Sequence, residues 1–321
     1  SVWLEFRRVL FRSKVSTFIP SHITGFFSIK NDQDPLRKGS CGAGVLINNG
    51  VKTTVESLKD ENTTKNNINI IINNKKDLKN EKISLKTIEA IENNFNLELK
   101  NDLIINHEIS VPIGSGFGTS ASCALGTAIG LFKLFKPKIS KNDAMQMAHF
   151  AEVNLGSGLG DVLSQTSKGI VIRESPGAPG IGKTLPLKEK NNFSDFVVLT
   201  KTYGQIDTST IIEDPIKKRK INKIGIVMQE KIEKNPTLEN FMNCSYEFAK
   251  DTGLINRELL NIVDQLKKCT IGSSMAMLGN TVFAITKEEN LSKIDESGDF
   301  KVEDFKISKI YNDNIWILIN I

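Results

Sequence analysis

The chain has 321 residues, 39% hydrophobic and 25% charged, which describes an ordinary cored protein of one large domain or two medium ones. Its net charge of +5 is spread over many lysines nearly matched by acids, without an aromatic-interleaved basic patch. That argues against a nucleic-acid partner and suits a small anionic substrate. Cys41, Cys123, Cys244 and Cys269 form no CxxC pair and read as reduced thiols of a cytoplasmic protein, and no apolar run reaches membrane-spanning length.

Residues 1–13 mix Trp3, Phe6, Phe11 and three arginines without a secretory signal, and we read them as a non-native extension. Val15–Ile19 reads as a short strand that meets Pro20, which places His22 just past a strand end. Asp34-Pro35 opens a turn into a glycine-rich stretch that ends at Gly44. There Arg37 and Lys38 are candidates to hold an acidic group, Arg37 through a bidentate fork. Val45–Ile47 and Lys52–Ser57 read as strands paired around an Asn48-Asn49-Gly50 turn. A strand over Ile68–Ile72 follows. Ile83–Leu97 then reads as a helix with Leu85, Ile88, Ile91 and Phe95 as its core face.

The centre of the chain is Pro112-Ile113-Gly114-Ser115-Gly116-Phe117-Gly118-Thr119-Ser120. Leu103, Ile105, Ile109 and Val111 alternate before it as in a half-buried strand, and Ala121–Phe135 reads as a helix after it. A glycine loop opening a helix uncovers backbone N–H groups where the helix dipole also favours an anion, and phosphate is the obvious one. The spacing is neither that of a Walker A loop nor that of a dinucleotide fingerprint.

Ser140 and Asp143 resemble a capping box for the next helix, on which His149 and Glu152 share a face. Glu152 is either an exposed helix carboxylate or, near a phosphate loop, a ligand for Mg²⁺. Asp161 closes the turn Gly156-Ser157-Gly158-Leu159-Gly160. It either caps the following helix or presents a carboxylate to a substrate hydroxyl. Gly169–Arg173 reads as a strand, and the Pro/Gly loop 174–182 as the junction between domains at 14–182 and 183–321. Beyond it we expect a strand at Phe196–Thr200, a turn at Tyr203–Thr208 into a helix, and helices at Leu238–Lys250 and Asn256–Lys268. The turn Gly272–Asn280, leading into a strand at Thr281–Ile285, could close over a phosphate; Met275 and Met277 fit the core better.

Together these stretches resemble the GHMP family of small-molecule kinases. The central loop is similar to that family's Pro-x-x-x-Gly-Leu-Gly-Ser-Ser-Ala signature, with Phe117 for Leu and Thr119 for the first Ser. Pro20–Phe27 resembles its first motif, and Asp34–Ser40, Gly158–Val162 and Ser274–Gly279 resemble the archaeal pantoate kinase branch. The resemblance implies an α+β, two-domain fold, with an N-terminal domain like ribosomal protein S5 domain 2 and a ferredoxin-like C-terminal domain. It implies that Pro112, Gly114, Ser115, Gly116, Phe117, Gly118, Thr119 and Ser120 bind ATP, that Ser120 and Glu152 hold Mg²⁺, and that Asp161 is the catalytic residue facing the acceptor hydroxyl. The implied reaction makes 4-phosphopantoate for coenzyme A synthesis, in a cytoplasmic protein with no nucleic-acid or membrane partner and with a homodimer allowed. Many members have Pro-Gly-Lys where this chain has Pro20-Ser21-His22, so no catalytic lysine carries over. Pantoate's carboxylate needs a cation: Arg37 is the first candidate and Arg173 the second, with His22 beside them on the substrate side. The alternatives are a kinase of the same family for a homoserine- or mevalonate-type alcohol, and a non-catalytic nucleotide-binding regulator.

Overall fold

In a computed structural model, the described residues are 11–59, 67–97, 99, 102–135, 140–187, 189, 193–205, 211, 214–315 and 317–320. Two long strands, β1 (Phe11–Lys30) and β2 (Gly39–Lys59), pair antiparallel along their whole lengths and form the spine of a seven-stranded sheet. β3 (Ile68–Ile72) and β4 (Asp102–Ile109) extend it beyond β2, giving the order β4 then β3. β5 (Ile170–Ser175) pairs with β2, β6 (Lys183–Pro186) with β5, and β11 (Ile317–Asn320) with the other side of β1. A second sheet of four strands runs β10 (Lys306–Lys309), β7 (Phe196–Gly204), β9 (Asn280–Lys287), β8 (Gly272–Met275). The first sheet thus takes strands from both sides of residue 182.

The helices are α1 (Lys82–Phe95), α2 (Thr119–Phe135), α3 (Lys141–Leu155), α4 (Asp161–Gln165), α5 (Pro215–Lys234), α6 (Leu238–Thr252), α7 (Arg257–Leu266) and α8 (Ser292–Glu296). No described helix is long and apolar enough to cross a membrane. All four cysteines are free, three of them buried. α2 lies close on β2 because it has glycine where the strand approaches. A Cβ on Gly126 would stand 2.2 Å from Thr53 Oγ1, and one on Gly130 2.4 Å from Val55 Cγ2. This close approach sets the height of the α2 N-terminus above the sheet.

The structure corrects several sequence expectations. β1 does not stop at Pro20. The register shifts there, with Pro20 opposite Gly50 and Ser21 opposite Ile47, so Asn48 and Asn49 are looped out of β2 as a bulge. Proline fits at such a break because it has no ladder N–H to lose. Hence there is no Asn48-Asn49-Gly50 hairpin: both expected arms pair with β1. The two asparagines instead tie the sheets together, Lys309 N donating to Asn48 Oδ1 (3.0 Å) and Ser308 Oγ to Asn49 Oδ1 (2.7 Å). Leu85 is 39% exposed, while Ile88 and Ile91 are buried as expected. α5 is the helix expected after the Tyr203–Thr208 turn; Asp214 caps it and Pro215 occupies its first turn. The turn expected at Tyr203–Thr208 lies partly outside the described residues, and Tyr203 and Gly204 end β7.

Candidate active site

The loop between β4 and α2 contains three left-handed glycines in alternation, Gly114 (φ +72°), Gly116 (φ +87°) and Gly118 (φ +64°). Only glycine takes this conformation without steric cost, and left-handed residues of this kind make concave backbone surfaces lined with N–H groups. Thr119 and Ser120 form the first turn of the 17-residue α2, so the helix dipole points its positive end into the same hollow.

Three distant elements hold the loop in place. Gln165 Nε2 donates to Gly118 O (3.0 Å) and Ser122 Oγ (2.9 Å), Thr281 Oγ1 to Ser115 O (2.8 Å), and His22 N to Phe117 O (3.1 Å). The Phe117 ring anchors the loop in the core. Of the eight residues read as ATP-binding, Gly114 and Gly116–Ser120 line the cleft. Ser115 turns its side chain inward toward Ile113 O, and Pro112 is exposed at the loop's entrance.

Asp161 is the first residue of α4 and makes no cap there. Its Oδ1 stands 2.6 Å from His22 Nδ1, with the Asp161 side chain 25% exposed and the His22 side chain fully buried. Burial works to raise the Asp161 carboxyl, but the hydrogen bonds of His22 and Thr24 and the charge of Arg173 together bring it below the usual carboxylate range. Burial likewise depresses the His22 imidazole, against the pull of Asp161. Because β1 runs on through Pro20, His22 sits within the strand and behind Asp161, instead of past a strand end and facing the cleft.

Glu152 is buried, contrary to the exposed reading, and neither of its carboxylate oxygens has a hydrogen-bond partner. Burial, then the charge of Asp161, pushes its carboxyl well above the ordinary range. The side chain has room only because residue 158 is glycine, where a Cβ would come 2.4 Å from Glu152 Oε1. Ser157 Oγ links the Glu152 main chain to the loop, donating to Glu152 O (3.4 Å) and accepting from Ser120 Oγ (3.1 Å). Two orphaned, buried carboxylate oxygens on a cleft that Ser120 and Ser157 also line fit a hard divalent cation such as Mg²⁺. His149, on the same face of α3, donates from Nε2 to Lys38 O (2.9 Å) and so fixes the turn that begins β2.

The two arginines separate cleanly. Arg37 is 68% exposed, faces Asp34 Oδ2 at 3.7 Å and does not line the cleft. Arg173 is 1% exposed and lines it. Its Nη1 donates to Ser164 Oγ (2.8 Å), while its Nε is buried without a partner. A Cβ on Gly160 would lie 2.8 Å from that Nε and 2.4 Å from Ser40 Oγ, so glycine there brings Ser40 and Arg173 together. Thr24 and Phe27 of β1 and Met277 and Leu278 of the β8–β9 turn complete the rim. Thr24, Ser40, Ser157 and Gln165 were not singled out from sequence. Thr24 is two residues from His22 on one strand, and Gln165 is one helical turn beyond Asp161, so those two left a readable signal.

A helix-borne anion cradle, a pair of carboxylates and a buried guanidinium thus line one cleft. Residues 82–169 match the family described as GHMP kinases N terminal domain. The chain is 40% identical over 275 residues to the pantoate kinase of Methanocaldococcus jannaschii, covering 85% of this chain and 93% of that protein. It is 33% identical over 300 residues to the pantoate kinase of Thermococcus kodakarensis, covering 93% and 96%. A solved structure described as a phosphotransferase related to the CoA biosynthesis pathway superposes with a TM-score of 0.82 at 30% identity, covering 95% of this chain and 98% of that one. The chain belongs to the pantoate kinase branch of the GHMP kinase family. Its α+β fold is the one the motifs implied, it is a small-molecule kinase, and its family uses ATP.

Proposed function

We propose that the protein transfers the γ-phosphoryl group of ATP to the primary alcohol of pantoate, giving 4-phosphopantoate for coenzyme A synthesis. The observation that carries this reading is Arg173, a buried guanidinium with an unpaired Nε in the same cleft as the glycine loop and Asp161. A buried donor nitrogen without an acceptor is costly, and an anionic substrate supplies the missing partner. The identity to pantoate kinases selects pantoate among the carboxylate-bearing alcohols.

The division of labour follows from position. Backbone amides of Gly114–Ser120 cradle the phosphates, and Ser120 with Glu152 hold Mg²⁺. When bound, that ion would supply positive charge to offset what develops on the phosphate oxygens. Asp161 takes the proton of the acceptor hydroxyl and aims its oxygen at the γ-phosphorus. Arg173 and Ser40 hold the substrate carboxylate at the far end, and Arg37 stays outside. No lysine supplies charge in the first motif, so the loop amides and the metal carry that load. Cytoplasmic residence accompanies the reading, and a homodimer is compatible with it, to be checked by light scattering.

The test is ATP consumption by the purified protein with pantoate, homoserine or mevalonate, with and without Mg²⁺. Mg²⁺-dependent turnover of pantoate well above the other two is expected. Preference for another alcohol would replace the substrate, and no turnover of any alcohol would leave the regulator reading.

A further inference from the structure

We propose that His22 is a positioning residue for the transfer: as the Nδ1–H tautomer it donates to Asp161 Oδ1 and leaves Oδ2 alone to receive the acceptor's proton. This deepens the kinase reading and rests on it.

The geometry decides the tautomer. Nδ1 and Asp161 Oδ1 are 2.6 Å apart, and a hydrogen must lie between them, because two lone pairs at that distance repel. His22 Nε2 is buried and has no partner, so a proton placed there would be stranded. The ring is seated on Gly44 of the neighbouring strand, whose missing side chain makes room for it: a Cβ there would stand 2.2 Å from Nε2. The His22 backbone N–H is tied to Phe117 O of the phosphate loop at 3.1 Å. One residue therefore fixes two parts of the site, the loop through its main chain and the carboxylate through its ring. A support on a fully buried strand holds its target more closely than one on a surface loop. Burial depresses the imidazole, and a neutral ring with its proton on Nδ1 is enough to donate this hydrogen bond.

In the transfer, the acceptor O–H bond breaks and its proton passes to Asp161 Oδ2. The freed oxygen forms a bond to the γ-phosphorus as the bond from that phosphorus to the bridging oxygen breaks, and ADP departs with the electron pair. His22 gains and loses no proton.

The chain has three histidines, so histidine-selective ¹⁵N labelling gives a spectrum that can be assigned by substitution. Long-range ¹⁵N–¹H correlation should show His22, identified by its absence in His22→Asn, with its proton on Nδ1, and the signal should move in Asp161→Asn. A proton on Nε2 overturns the proposal. Kinetics give a second readout. Asparagine carries a donor nitrogen on the γ-carbon, where Nδ1 is attached, and glutamine carries it one bond further out. His22→Asn should keep kcat within about tenfold and His22→Gln should lose about 100-fold, with KM for both substrates little changed. Equal kcat in the two variants, each verified as folded by its thermal melt, overturns the proposal. If the protein phosphorylates another alcohol, the substrate reading falls and the same comparison is made on that alcohol. If it phosphorylates none, the NMR result decides.

Discussion

Gly279 presses its backbone against that of Ser115: a Cβ at 279 would stand 2.1 Å from the Ser115 carbonyl carbon. Thr281 Oγ1 secures the same carbonyl oxygen at 2.8 Å. The β8–β9 turn of the second sheet is therefore the back wall of the phosphate loop. Gly279→Ala should move the loop and lower kcat/KM for ATP about 100-fold, since an ångström of displacement at a reacting group has that effect. Gly298→Ala is the control. It has φ +78° with no neighbour within 4 Å, and should cost about 1 kcal/mol of stability and no activity. Equal kinetics in both variants would remove the β8–β9 turn from the site.

Asp161→Asn keeps the shape of the side chain and removes its ability to take a proton. We expect kcat to fall about 1,000-fold while calorimetric affinity for ADP stays the same. Unchanged turnover would take Asp161 out of the mechanism.

Glu152→Gln tests the cation site. It replaces two orphaned acceptor oxygens with an amide of the same size, and the Mg²⁺ concentration for half-maximal activity should rise about tenfold or more. Calorimetric titration of Mg²⁺ into the ADP complex should show the same loss. A variant with wild-type Mg²⁺ dependence assigns the ion to other ligands.

Arg173→Lys keeps the charge and loses the fork. A charge-assisted hydrogen bond contributes about 1.5–3 kcal/mol, so KM for pantoate should rise about 10- to 100-fold with KM for ATP unchanged. Arg37→Ala should leave both constants alone, because Arg37 lies outside the cleft. The opposite pattern would restore Arg37 as the carboxylate's partner.

His107 makes a prediction about stability. Buried between Thr53 Oγ1 and Ser84 Oγ, both at 2.8 Å, it has its imidazole pushed down to about 3. Below the unfolded value of about 6.5, the unfolded chain binds the proton first, so stability falls as pH falls, by up to about 1.4 kcal/mol per pH unit. Urea midpoints of the wild type should drop between pH 6.5 and 4. His107→Gln should be less stable at pH 7 and show a shallower drop. A slope unchanged by the substitution would assign the acid sensitivity to other groups.

The local elements were legible because their causes are local. The glycine loop, the α2 helix after it, the Ser140 capping box and the strand at Ile68–Ile72 each depend on residues within a few positions. Asn48-Asn49-Gly50 misled for the same reason: turn chemistry was present, but β1 was already there to pair with both arms. Arg37 reads as the first candidate because loop residues look available and strand residues do not; the fold exposes Arg37 away from the cleft and buries Arg173 in it.

The sequence by itself determined that a phosphate-type loop opens a helix, that carboxylates follow it, and which family the motifs resemble. Only the tertiary structure decided what those carboxylates meet. His22 and Asp161 are 139 residues apart, and Gln165 and Thr281 reach the loop from two further elements. Such pairings depend on strand register and on glycines at 44, 158, 160 and 279 that leave room for a neighbour's atoms. A missing Cβ is visible in the sequence; what fills its space is set by the fold.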